Sequence, residues 1–307
     1  MFVGRTSEGQ AMLLSVRSKR SVVLVVPTGY GKSTLLAEVS PGFEDKGAVL
    51  KVAKVGPFST FIDDLFCEMR VAKILVTGVR YSNDARADSK TWKKAAGESV
   101  ASRARSLLEA LRLYAATGVN RACIVIDDAS ELSSSMVPWF LGFDGVCVLV
   151  LATYPATLSK KPLQRLWARF DQVDLPPLTR AESSELLEER VTRYGIVAEN
   201  MEAYKKRVLS LSNGIPAEID RLVRFVSVTN IVLNRDVGTS FAQDVASRQE
   251  RGVALAPLLL VMGGGFMVTK YLGLARGEMD LYFVGGIGIA LFMVLGPWLR
   301  KAVMAGA

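Results

Sequence analysis

Val22-Val23-Leu24-Val25-Val26-Pro27-Thr28-Gly29-Tyr30-Gly31-Lys32-Ser33-Thr34 is the stretch on which the fold turns. The apolar run from Ser21 to Val26 reads as a strand buried on both faces, and a helical pattern from Ser33 to Val39 follows it. Gly29 and Gly31 let the backbone between them curl until its amide hydrogens converge on one point. A helix N-terminus at that point adds partial positive charge. Lys32 can reach outer phosphates, and the Ser33 hydroxyl can bind a divalent cation. The segment Pro27 to Thr34 therefore implies a nucleoside triphosphate, ATP with Mg²⁺. The strict spacing G-x-x-x-x-G-K-[ST] would place glycine at position 26, where this chain has Val26.

Three more apolar runs read as buried parallel strands: Ala48 to Val55, Ala122 to Ile126 and Val146 to Ala152. Amphipathic stretches alternate with them, Phe58 to Leu75 and Val100 to Ala116 among them. Strand–helix alternation predicts a doubly wound α/β sheet. The strand from Ala122 ends in Asp127-Asp128. An apolar strand tolerates acids at its C-terminal edge, which is where open α/β sheets bind ligands. Asp127 is expected to hold Mg²⁺ with Ser33, and Asp128 to orient or deprotonate the attacking water. The next strand ends in Thr153, whose hydroxyl could sense the γ-phosphate or that water. The polar stretch Gly78 to Gly97 carries Arg80, Arg86, Lys90, Lys93 and Lys94 around Tyr81 and Trp92. It reads as a solvated surface insertion, with a nucleic-acid- or lipid-contacting loop as the alternative.

The chain has 307 residues, half of them hydrophobic, and a formal charge of +8. Its mean hydropathy of +0.26 is high for a soluble protein, and its pI is about 9.4. There is no histidine, so histidine-dependent zinc sites and catalytic triads are excluded. Cys123 and Cys147 join apolar runs and read as buried reduced thiols. No secretory signal precedes the first motif, so the N-terminal part is expected in the cytosol.

Pro176 and Pro177 break the chain, and Thr179-Arg180-Ala181-Glu182 then reads as a helix-capping box. Helices are expected after it, at about Glu202 to Leu211 and at Pro216 to Val226. The organisation read from these signals is an α/β core at 1–175, a helical lid at 176–228, a connector at 229–252 and a hairpin at 253–302. In the hairpin, Val253 to Thr269 and Leu281 to Leu299 carry no charge. Each is near the roughly 20 residues that a membrane-spanning helix needs. Gly263, Gly264, Gly265, Gly285, Gly286 and Gly288 would let the two helices approach closely. Arg248, Arg251, Arg300 and Lys301 lie outside them, which predicts two transmembrane helices with both termini cytosolic.

Taken as a set, these residues resemble the AAA+ ATPases, and within them the STAND and origin-recognition-like clades. Phe2-Val3-Gly4-Arg5 is similar to the N-terminal signature that lies against the nucleotide base. The resemblance thereby implies base contacts for Gly4 and Arg5. Asp127-Asp128 resembles the double-acid strand ending of STAND members. Leu175-Pro176-Pro177-Leu178-Thr179 resembles their lid entry. Gly214-Ile215-Pro216 resembles the G-x-P motif, which implies nucleotide contacts from the lid by Gly214 and Pro216. The resemblance covers about residues 2 to 226. Asp128 stands where classical members carry glutamate, and Ala217 stands where they carry a lid arginine. An arginine finger acting in trans would come from Arg165 to Arg169, with Arg169 the expected residue. The family further implies a homo-oligomer.

Together these readings predict a membrane-anchored ATPase that drives a conformational switch or an assembly step at the cytosolic membrane face. Its expected partners are ATP, membrane lipid, and further copies or a partner membrane protein. Two alternatives stay open: a DNA-binding initiator or loader, and an ATP-binding scaffold with little turnover.

Overall fold

The computed structural model describes residues 4–97, 99–117, 121–227, 231–232, 255–290 and 293. Phe2, Val3, most of the connector and the outer parts of both hairpin segments lie outside the described residues. The chain divides into two compact units, Met1–Ile231 and Val232–Ala307.

In the first unit, helix α1 (Thr6–Arg17) leads into β1 (Val22–Val25) and α2 (Lys32–Val39). Strand β2 (Val49–Lys54) is followed by α3 (Phe58–Val71), α4 (Ala85–Ala96) and α5 (Val100–Ala116). Then come β3 (Cys123–Asp128), α6 (Val137–Asp144) and β4 (Val148–Thr153). Two one-turn helices, α7 (Pro155–Leu158) and α8 (Gln164–Trp167), precede β5 (Asp171–Asp174). The five strands form one parallel sheet in the order β2-β3-β4-β1-β5. Every residue of β1 and β4 is buried, as central parallel strands require. Alternate residues feed two cores. Val23, Val25, Ile124 and Ile126 face the cluster built with α3, α5 and α6. Val22, Leu24, Val125 and Val150 face the cluster built with α1 and α2. Strand β5, Asp-Gln-Val-Asp, buries only Val173 and has no apolar run to announce it.

The segment from Gly78 to Gly97 differs from the surface insertion read in the sequence. Asp84 caps α4 by accepting from the amides of Arg86 and Ala87. Trp92 is fully buried and stacks on Phe66, with ring centroids 4.3 Å apart and planes at 3°. The Arg103 guanidinium lies 5.9 Å from the Trp92 ring. Asp88 is also buried and accepts from Arg70 Nε at 2.5 Å and from the Ser82 amide at 3.0 Å. These bonds, led by the one from Arg70, hold its carboxyl below the usual aspartate value. The basic residues Arg80, Arg86, Lys90 and Lys94 occupy the exposed side. Composition marked this segment as polar, but its two aromatic rings and one acid are core.

The lid comprises α9 (Arg180–Tyr194), α10 (Met201–Ser212) and α11 (Pro216–Ser227). The capping box forms: Thr179 accepts from the Glu182 amide at 3.3 Å, and the Glu182 carboxylate accepts from the Thr179 amide at 2.8 Å. Cys123 and Cys147 are buried free thiols, and burial raises both.

In the second unit, a helix spans Leu255–Arg276 and another runs over 279–290. Glycines set their separation. A Cβ on Gly273 would strike the Tyr282 backbone, one on Gly285 the Lys270 backbone, and one on Gly288 the Phe266 ring. A Cβ on Gly265 or Gly286 would meet nothing. Met267, Val268, Phe283 and Ile287 are each more than half exposed. Among the described residues no helix is long and apolar enough to cross a membrane. The side chains of 255–264 lie outside that description.

If α4 is core, Trp92→Ala should destabilise the first unit by about 3–5 kcal/mol, the usual cost of emptying a large aromatic site. Denaturant unfolding measures this; a loss of under about 0.5 kcal/mol, typical of a surface site, would return the segment to the surface.

Candidate functional site

Strand β4 lies between β1 and β3, so three strand ends converge at one edge of the sheet. Val25 is in register with Thr153, and Ile126 with Leu151. The backbone continues this pairing beyond the strands. The Val26 amide donates to the Thr153 carbonyl at 2.9 Å, and the Ala129 amide to the Ala152 carbonyl at 2.8 Å. The loop 26–31, Thr153 and the acids of β3 are thereby fixed side by side.

Gly29 and Gly31 hold φ of +89° and +88°, a region that favours glycine. Gly31 is also the N-cap of α2, so Lys32 and Ser33 open that helix. Ser33 Oγ donates to Asp127 Oδ2 at 2.6 Å, joining residues 94 apart in the chain. The other carboxylate oxygen, Asp127 Oδ1, is buried with no hydrogen-bond partner among the described residues, and so is Thr153 Oγ1. Buried polar atoms without partners are uncommon in folded proteins and point to a missing ligand. A cation on Ser33 and Asp127, and a phosphate oxygen or water on Thr153, would satisfy them. The donor set of a hydroxyl and a carboxylate suits Mg²⁺.

Asp128 Oδ1 accepts from the Ser130 amide at 2.9 Å. Burial pushes its carboxyl up, but the Ser130 hydrogen bonds and the charges of Lys32 and Lys54 outweigh that and leave it below the usual value. It is therefore ionised at neutral pH, as a base must be. Lys32 Nζ lies 4.9 Å from the centroid of the Tyr154 ring.

The lid closes this edge into a cleft of about 340 Å³, lined by Arg5, the loop from Pro27 to Thr34, Tyr154, and Leu186, Pro216 and Asp220 of the lid. The Ala217 amide donates to the Gly29 carbonyl at 3.0 Å, and Pro216 Cγ would be 3.9 Å from a Cβ on Gly31. Gly214, with φ of +75°, accepts from the Leu178 amide at 2.8 Å, and a Cβ there would collide with the Leu178 carbonyl. Arg5 is buried, donates to the Pro176 carbonyl and pairs with Glu8 at 3.6 Å. Burial pushes its guanidinium down, against the opposing pull of Glu8 and Glu182. Gly4 packs so tightly on Glu182 that a Cβ would overlap its carboxylate.

In its overall course the chain is similar to the ORC1 protein of Aeropyrum pernix, solved in complex with DNA. They share 15% identity over 86% of this chain and 72% of that one, with a TM-score of 0.51. The fold is that of an AAA+ P-loop ATPase. The likeness at this identity gives the AAA+ fold alone. The RuvB Holliday junction branch migration motor of Thermotoga maritima is also similar, at 16% identity over 77% of this chain and 67% of that one, with a TM-score of 0.42. So is the FIGL-1 AAA domain in complex with ADP, at 14% identity over 77% and 75%, also with a TM-score of 0.42. No protein-family model and no curated protein matches the sequence.

Against this AAA+ frame, Lys32, Ser33, Asp127, Asp128 and Thr153 meet at one edge of the sheet, and Arg5 and Pro216 line the adjoining cleft, whereas Gly4 packs on Glu182 and Gly214 on Leu178 rather than lining it. Arg169 does not join them. It lies at the opposite end of the sheet, two residues before β5, and its Nε pairs with Asp144 at 3.0 Å. Sequence reasoning missed Tyr154, Leu186, Arg190 and Asp220, all of which line the cleft. Tyr154 had a signal, because it directly follows Thr153. Arg190 and Asp220 had none, since only lid packing brings their ion pair, 2.5 Å long, to the cleft.

Gly214→Ala should destabilise the closed lid by about 1–3 kcal/mol, combining positive-φ strain with the clash at Leu178. Thermal unfolding and protease sensitivity of the α9–α11 region would both register it; unchanged values would show that the turn accommodates a side chain.

Proposed function

We propose that this chain binds ATP with Mg²⁺ between the α/β core and the lid and hydrolyses it, using the nucleotide as a switch. The carrying observation is the hydrogen bond from Ser33 to Asp127, set beside the unpartnered Asp127 Oδ1 and Thr153 Oγ1. Ser33 and Asp127 would hold Mg²⁺, which neutralises charge between the outer phosphates. Amides of the loop from Thr28 to Gly31 and the start of α2 bind phosphate oxygens, and Lys32 adds a full positive charge. Thr153 donates a hydrogen bond at the γ-position. Asp128, held by Ser130, orients water and takes its proton. The lid excludes bulk water, and its link from Ala217 to Gly29 gives it a direct reading of the loop's state.

The second part of the proposal is that the C-terminal hairpin anchors this switch at the cytosolic face of a membrane. Support comes from the apolar side chains that the hairpin exposes and from its charge-free flanking sequence. In an oligomer Arg169 would act in trans only by exchanging Asp144 for a neighbour's phosphate.

Lys32→Ala should abolish binding of a fluorescent ATP analogue, and retained affinity would refute the nucleotide reading. Asp128→Asn should bind ATP normally and turn it over about 100-fold more slowly or worse, the usual contribution of a positioned base; equal turnover would mean that the carboxylate is not catalytic. In a flotation assay the full chain should rise with liposomes and a chain ending at residue 231 should not. If the full chain stays behind and instead binds DNA in a salt-dependent way, the loader reading gains over the anchor.

A further inference from the structure

The nucleotide reading assigns no role to Tyr154, although its ring stands beside the one full positive charge of the phosphate-binding loop. Lys32 Nζ lies 4.9 Å from the ring centroid, within the range at which an ammonium is attracted to an aromatic face. Both residues line the same cleft. The backbone that carries the ring is well fixed. Tyr154 follows Thr153, the last residue of a fully buried central strand, and it begins α7, where its carbonyl accepts from the Thr157 amide at 2.9 Å. Lysine carries four rotatable bonds and a strongly hydrated head, so an unrestrained Lys32 would lose much freedom on reaching for a phosphate.

We infer that Tyr154 is a positioning residue for Lys32: its ring face holds the ammonium over the cleft and shields one side of it from water. This rests on the nucleotide reading above. Two consequences follow from the physics. The ring face is what matters, so the phenol hydroxyl is dispensable. The effect acts through Lys32, so it is confined to ligands whose outer phosphates Lys32 reaches.

The test measures dissociation constants of ATP, ADP and AMP for the full-length wild type, Tyr154→Leu, Tyr154→Phe and Lys32→Ala, with melting temperatures alongside. Leucine keeps apolar bulk and removes the π face; phenylalanine keeps the face. Tyr154→Leu should weaken ATP and ADP by about 3- to 10-fold, as expected for a partly exposed cation–π contact. It should leave AMP binding and the melting temperature near wild type, and Tyr154→Phe should restore ATP affinity. Unchanged or tighter ATP binding by Tyr154→Leu would overturn the inference. So would equal weakening of AMP, which marks a general collapse of the cleft, or a Phe variant as weak as the Leu variant. If Lys32→Ala itself binds ATP like the wild type, the nucleotide reading fails. If only that variant loses binding, the nucleotide reading stands and the role of Tyr154 falls.

Discussion

The hydrogen bond from Ser33 to Asp127 crosses a strand that belongs to neither residue. Ser33 follows β1 and Asp127 ends β3, and β4 separates the two strands in the sheet. Adjacent strands lie about 4.8 Å apart, so β1 and β3 are nearly 10 Å apart at their ends. The glycine turn through Gly29 and Gly31 must therefore bend the chain back over β4 before α2 begins. That constraint sets much of what surrounds it. It keeps Thr153, at the tip of β4, beneath the bridge, buried and with its hydroxyl unpartnered. Independently of it, the helical crossovers between parallel strands cover both sides of the sheet and bury β1 and β4 on both faces.

The lid is coupled to this edge by backbone contacts more than by side chains. Ala217 donates to Gly29 across the cleft, and within the lid the entry residue Leu178 donates to Gly214. Each is an amide–carbonyl bond worth about 1 kcal/mol net, small enough to break and re-form on a working cycle. What gives the contacts precision is the lack of side chains at Gly29 and Gly214, which lets the two backbones meet. Ala217 fits the same logic. A long side chain there would sit where the first turn of α11 touches the loop, so the short residue serves close packing and leaves charge to be supplied from elsewhere in the cleft. Arg190 and Asp220, paired on the lid wall, are the charges that packing brings in.

Elements with a strong period were legible in the sequence. The apolar runs of β1 to β4, the Thr179 cap and the α5 pattern gave their positions to within a few residues. Strand β5 was not legible, because Asp171 to Asp174 buries one side chain and is held by pairing with β1. Segment 78–97 was misread for the opposite reason. Its charges dominate the composition, while its fold depends on Trp92, Tyr81 and Asp88, whose partners Phe66 and Arg70 lie on another helix. At the sheet edge the residues of contiguous motifs come together, whereas the lid residues that tertiary packing brings to the cleft had no contiguous motif to mark them. The end of the sheet at which Arg169 sits follows only from the register of Asp171 with Val22, and nothing in the sequence announces that register.

The high mean hydropathy of the chain has two separate sources. One is the doubly covered sheet, where the apolar side chains of β1 and β4 are hidden. The other is the hairpin, where they are not: Val268, Tyr271, Leu274, Phe283 and Ile287 are all about 60% exposed. Removing such side chains from water is worth roughly 1.5–3 kcal/mol each, so leaving a band of them exposed is costly unless lipid or protein covers it. The hairpin's own packing explains why it cannot cover them itself. Gly273 and Gly285 bring the two helices into backbone contact and Gly288 packs on the Phe266 ring, and a contact built on glycine buries little side-chain area. Its larger residues are then left to point outward, and the polar tip at Arg276, Glu278 and Asp280 ends the apolar band. Lys270 lies with its ammonium 5.5 Å from the Tyr282 ring. Among the described residues a lysine ammonium thus meets an aromatic face twice, at Lys32 beside Tyr154 and at Lys270 near the tip of the hairpin, and an arginine does so once, at Arg103 over Trp92.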